Sequence, residues 1–139
     1  MIAKTITYTD YNNVERTETF YFNLTKTELA KMELSAAGGY ADRVQRIIDA
    51  KDIPSLTNVL NDLILNSYGI KSEDGRRFIK SPQLSEEFSQ TEAYNQLFME
   101  LITDDKKAAN FVNGIVPADV AAAAEEEMKK RSGGIATDD

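Results

Sequence analysis

A chain of 139 residues, 42% of them hydrophobic and carrying a net charge of −7 from 23 acidic and 16 basic side chains, is sized for one domain with a modest core. It contains no His and no Cys, which excludes imidazole proton transfer, thiolate nucleophiles, disulfide frames and Cys-ligated zinc. The acidic balance disfavours non-specific contact with nucleic acid or anionic lipid, and neither is expected as a partner.

Residues 2–22 read as a β-hairpin: ITYT and TFYF are rich in β-branched and aromatic residues, with Tyr11-Asn12-Asn13 as turn chemistry between them. Alternation is imperfect, because Ile2, Ile6 and Tyr8 share a face with Lys4, and Phe20 and Phe22 share one with Arg16 and Glu18. A lone hairpin is marginal in water, so it must pack on helices or on another chain's strand. Thr25-Lys26-Thr27-Glu28 fits a capping box that opens a short helix through Leu29 and Met32. Gly38-Gly39 reads as a flexible joint, and Tyr40, Val44, Ile47 and Ile48 mark a second amphipathic helix.

Asp52-Ile53-Pro54 breaks and restarts the chain, with proline in the first helical turn, where its missing amide costs nothing. Leu56, Val59, Leu60, Leu63 and Ile64 then form the cleanest helical stripe, with Gly69 as the expected C-cap. Ile70 to Lys80 is a short hairpin or ordered loop turning at Glu73-Asp74-Gly75. Ser81-Pro82, Thr91 and Asp104 each start a helix, so the span to Val116 holds two or three short helices with tight joints.

After Pro117 the composition shifts. DVAAAAEEEMKKR is a strong helix former without a wide apolar stripe, and SGGIATDD reads as a flexible tail. The expected organisation is one globular domain over 1–117, with hairpin 2–22 and helical part 25–117, followed by a separable segment 118–139. The fold class is α+β and mostly helical, with the amino-terminal hairpin packed on a bundle of short helices.

The amino terminus lacks the apolar run of a signal peptide, and no window approaches the ~18 consecutive apolar residues of a membrane span, so a soluble intracellular protein is expected. The carboxylate pairs Glu86-Glu87, Asp104-Asp105 and Glu125-Glu126-Glu127 sit on helices, where neighbours diverge by roughly 100°. They read as caps and solvated faces, with no catalytic residue, cofactor or metal expected. SEDG at Ser72 to Gly75 lacks the alternating ligands and closing Glu of a calcium loop and is a turn. The basic cluster Lys71, Arg76, Arg77 and Lys80, with the anchored Phe78, opposes the net charge. It is either a solvated hairpin face or a docking patch for an acidic partner or neighbouring subunit. Tyr68, Phe78, Phe88, Tyr94, Phe98 and Phe111 read as core rather than as an exposed groove.

The order of punctuation from Tyr68 to Pro117 carries a resemblance. DG-R-F-KS (Asp74, Gly75, Phe78, Lys80, Ser81), F-x-x-T-x-A-Y (Phe88, Thr91, Ala93, Tyr94) and the FVNGIVP close at Phe111 to Pro117 resemble the tail assembly chaperones of long-tailed, siphovirus-type bacterial viruses. The resemblance implies a non-enzymatic factor that binds the tape measure protein in the host cytoplasm and is absent from the mature virion. It also implies a longer form made by ribosomal frameshifting near KKRSGGIATDD, while the two unpaired edges of the hairpin over residues 2–22 predict self-association through that hairpin. A structural tail or head–tail connector subunit retained in the virion is the alternative.

Overall fold

The computed structural model describes residues 1–32, 34, 37–49 and 53–136. The Asp52 break, the Ile48 side chain and the last three residues of the expected tail lie outside the described residues.

β1 (Ile2–Thr9) and β2 (Glu15–Phe22) form the expected hairpin, paired Ile2 to Phe22 through Thr9 to Glu15. Asn13 takes a positive φ of 64° in the turn, where asparagine is tolerated. Just beyond the last pair, the Asp10 amide donates to the Val14 carbonyl at 2.9 Å. Even-numbered pairs therefore exchange the backbone bonds, and odd-numbered residues turn theirs outward. The Thr5–Thr19 and Thr7–Thr17 hydroxyls, each pair 2.9 Å apart, fit the closer approach of non-bonded pairs.

The two hairpins foreseen separately make one sheet. β3 (Tyr68–Lys71) adds to β2 through Tyr21–Gly69 and Phe22–Tyr68, and β4 (Phe78–Ile79) adds to β3, giving an antiparallel order β1-β2-β3-β4. Gly69 is thus a strand residue and not the helix C-cap that the sequence suggested. A Cβ there would lie 2.7 Å from Phe78 Cε2 and 2.9 Å from the Ile79 carbonyl oxygen, so glycine is required by close approach.

The helices follow their caps. α1 (Lys26–Lys31) opens with the full capping box, Glu28 amide to Thr25 hydroxyl and Thr25 amide to Glu28 carboxylate. α4 (Pro82–Ser89), α5 (Glu92–Ile102) and α6 (Asp105–Gly114) start at the Ser81, Thr91 and Asp104 side chains. α2 (Ala37–Asp49) begins earlier than expected, so Gly38-Gly39 lies in its first turn and is not a joint. Tertiary anchoring overrides glycine's poor propensity here: Tyr40 is fully buried, and its hydroxyl donates to the Val112 carbonyl of α6.

α3 (Ile53–Ser67) is the central helix, packed on α2, α4 and α5, with Leu56, Leu60, Leu63 and Ile64 buried and Val59 half-buried. Between the helices and the sheet lies an aromatic layer. Phe22, fully buried, has ring centroids of Tyr68, Phe88 and Phe111 within 5.9 Å, and Tyr68 stacks on Phe88 at 4.2 Å. The core assignment of the aromatics holds for Phe88 and Phe111, with Tyr68, Tyr94 and Phe98 half-buried against them.

α5 also closes one edge of the sheet. Its Glu92, Gln96 and Glu100, one turn apart, receive or reach the Tyr11 hydroxyl (3.0 Å), the Thr7 carbonyl (2.9 Å) and Lys4 Nζ (3.5 Å). A helix laid along a strand edge removes a template for unwanted pairing.

α7 (Ala118–Ala136) runs through the segment expected as the start of a flexible tail. It lies along α2 with Ala124 buried and Val120, Ala121 and Met128 half-buried against the core. Arg131 reaches Asp42 at 2.8 Å, and Asp119 meets Lys26 at 2.7 Å.

Candidate partner-binding surface

The β3–β4 hairpin carries all five residues singled out in the sequence. Its turn is held by Asp74, whose carboxylate accepts from the Ser72 hydroxyl (2.7 Å) and the Arg76 amide (3.0 Å). Those bonds hold the Asp74 carboxyl below the usual range, the Ser72 hydroxyl contributing most. Ser72 Oγ also accepts from the Arg77 amide at 3.0 Å, and Gly75 supplies the left-handed residue at φ +74°. The loop is therefore ordered by its own side chains.

The five side chains take four different roles. Lys80 is inward: Nζ donates to the Asn23 carbonyl (2.5 Å), to Glu28 Oε2 (2.6 Å) and to the Asn66 carbonyl (2.9 Å). It staples the end of β2, the start of α1 and the end of α3 to β4. Phe78 is half-buried with its ring against Gly69. Lys71 is exposed, but its ammonium sits 4.1 Å above the Tyr21 ring, a cation–π position. Arg76 and Arg77 project into solvent; among the described residues the one acid paired with Arg76 is Asp74, 4.0 Å away and itself exposed. The cluster that the sequence grouped by charge is thus one staple, one stacked lysine, one packed ring and two projecting guanidinium groups.

Burial pushes the Lys80 ammonium down from its ordinary value, outweighing the pull of Glu28. For Glu28, burial alone raises the carboxyl, and the hydrogen bonds from Lys80 and the Thr25 amide outweigh it, so the net direction is down. A depressed carboxyl contributes stability that is present above its unfolded value, near pH 4.3, and lost as pH falls through its folded value. Acid should therefore loosen this staple early. Lys80→Met keeps the packed stem and leaves two carbonyls and a carboxylate without their donor. A loss of roughly 1–3 kcal/mol in urea unfolding is expected, with a shallower stability decline below about pH 4.5 than the parent shows. An unchanged midpoint would leave Lys80 free for a partner.

A concavity of about 240 Å³ lies between α2, α6 and α7 and is lined by Val44, Ala109, Asn113, Ala124, Glu125, Met128 and Lys129. Asn113 Oδ1, buried there, has no hydrogen-bond partner among the described residues. Sequence reasoning missed this hollow because three separate helices supply its walls.

Of the carboxylates paired in sequence, Glu86 and Glu87 lie on α4 and Glu125 and Glu126 on α7, Asp104 caps α6, and Glu127 faces Arg131 at 3.5 Å. Among the described residues no three acidic side chains meet at a common point as metal ligands would, and no helix is long and apolar enough to cross a membrane.

The order of elements from the Asp74-Gly75 turn through the capped helices α4, α5 and α6 to Pro117 is the part that resembled a known family, and comparison extends the likeness to the whole chain. No curated protein and no solved structure matches it. A family model described as phage tail assembly chaperone matches residues 1–139, the amino-terminal hairpin and α7 included. The chain belongs to the phage tail assembly chaperone family.

Proposed function

We propose that this protein binds the tape measure protein while a phage tail is being built and keeps it soluble, without catalysing a reaction. The family match over the full length carries this reading. A tape measure protein is a very long helical chain, and bare apolar stripes on such a chain invite aggregation. An acidic protein of net charge −7 that coats those stripes supplies solubility to the pair. Arg76 and Arg77, held out on an ordered turn, are the docking groups for an acidic patch of the partner, with Lys71, Phe78 and Lys80 fixing the hairpin that presents them. In this reading the chaperone self-associates and acts in the host cytoplasm. It leaves before the virion matures, with residues 118–139 as the segment that a frameshifted form extends beyond the 1–117 body.

Co-expression tests it. The tape measure protein should stay in the soluble fraction with the chain present and pellet without it. The Arg76→Glu/Arg77→Glu double variant, whose substitutions lie on exposed positions, should fold normally and recover roughly tenfold less tape measure protein on affinity capture. Equal capture by the variant would remove the hairpin from the interface. Stoichiometric amounts of the chain in purified virions would favour a structural tail subunit instead.

A further inference from the structure

The β1 edge of the sheet is closed by α5, but the first half of β2 extends past β3 with no strand on that side among the described residues. β3 leaves β2 after Gly69, so along β2 the outward N–H and C=O groups of Glu15, Thr17 and Thr19 have no backbone partner among the described residues. Residues 15–19 are all exposed, and β2 packs substantially only with β1 and β3. An unpaired edge of this length is a template for another strand.

We propose that a second copy of this chain fills it, with the two β2 strands pairing antiparallel about a two-fold axis at Thr17. In that register Thr17 faces Thr17, and Glu15 and Thr19 face each other twice. All are residues whose backbone groups point outward, so every pair exchanges two hydrogen bonds. The flanking side chains are self-complementary. Arg16 of each copy lies opposite Glu18 of the other, giving two opposite-charge cross-strand pairs on one face. Arg16 already gives Nε to Asp10 at 2.6 Å and keeps its terminal nitrogens; Glu18 accepts one bond from the Tyr8 hydroxyl and keeps further lone pairs.

Neighbouring registers fail. Centring on Arg16 or Glu18 would face residues whose backbone groups are spent on β1. Centring on Glu15 sets two glutamates against each other, and centring on Thr19 needs Tyr21, which Gly69 already occupies. The contact is isologous, so it closes at two copies. It gives the self-association of the preceding reading a place on the molecule, and it is tested on the purified chain alone. Failure here leaves tape measure binding untouched, and the converse also holds.

The charge pattern permits a complementation experiment. Arg16→Glu places Glu against Glu across the axis, and Glu18→Arg places Arg against Arg. Each variant alone should self-associate at least about tenfold more weakly than the parent in sedimentation equilibrium. Mixed in equal amounts, an all-acidic strand from the first variant meets an all-basic strand from the second at both cross-strand pairs, and dimers should return. Because the chain has no cysteine, Thr17→Cys gives a single thiol at the axis. There the facing Cα atoms should lie about 5.5 Å apart, within disulfide range. It should form a covalent dimer under mild oxidation much faster than Thr5→Cys on β1. A monomeric parent at its highest soluble concentration, a mixture no more dimeric than its components, or equal crosslinking at both positions would each overturn the proposal. The cysteine pair keeps the test decisive should a charge variant fail to fold.

Discussion

Leu60→Ala should lower the unfolding free energy by about 2–5 kcal/mol, the largest single-residue effect expected in this chain. Leu60 is fully buried on α3, a helix packed on three others, so removing its side chain leaves a cavity in the core. The sequence already points there, because the apolar stripe from Leu56 to Ile64 is the most regular in the chain. Urea unfolding followed by circular dichroism measures it. A loss below about 1 kcal/mol, too small for a fully buried leucine, would mean that the stripe is not core.

Cutting the chain after Pro117 is the second large perturbation. Composition alone argues for little loss, since isolated alanine-rich helices are marginal and alanines bury small areas. The packing argues otherwise. Val120, Ala124, Met128 and Arg131 recur every three or four residues and lie along α2, a narrow stripe that the intervening Ala and Glu conceal. Truncation uncovers Val44 and the α2–α6 groove, and burial of Met128, Val120 and Ala124 is lost. A loss of about 2 kcal/mol or more follows, or ~5–10 °C in Tm, with the sheet and α3 core still folded. An unchanged Tm would make α7 a separable arm.

What the sequence discloses here is chiefly local chemistry. The Thr25–Glu28 box, Ser81-Pro82, Thr91 and Asp104 act within three residues of themselves, and each starts a helix where the residue types require one. Errors arise where a residue's role is set from far away. Gly69 looks like a helix stop until Phe78 occupies the space its side chain would need. Gly38-Gly39 looks like a joint until Tyr40 docks on Val112, 72 residues on. The joining of the two hairpins into one sheet rests on two residue pairs between β2 and β3, too few to leave a periodic trace. The basic cluster shows the same limit: Lys80 is indistinguishable in sequence from Arg76 and Arg77. Its role appears only when the Asn23 and Asn66 carbonyls, 57 and 14 residues back, converge on its ammonium.

The aromatic layer has a consequence for how the chain is made. Phe20 and Phe22 leave the ribosome early, within a hairpin that forms from adjacent residues in about 1–10 μs. Their cover, Phe88 and Phe111, is encoded far downstream, Phe111 lying 89 residues after Phe22 (111 − 22). At translation speeds of about 5–20 residues per second, that distance lasts roughly 4–18 s. Until that interval ends, the aromatic face of the nascent hairpin segment lacks part of its cover and its strand edge stays open on every translating polysome. Synthesis rate, more than the folding rate of the finished domain, sets how long this protein is itself prone to aggregate.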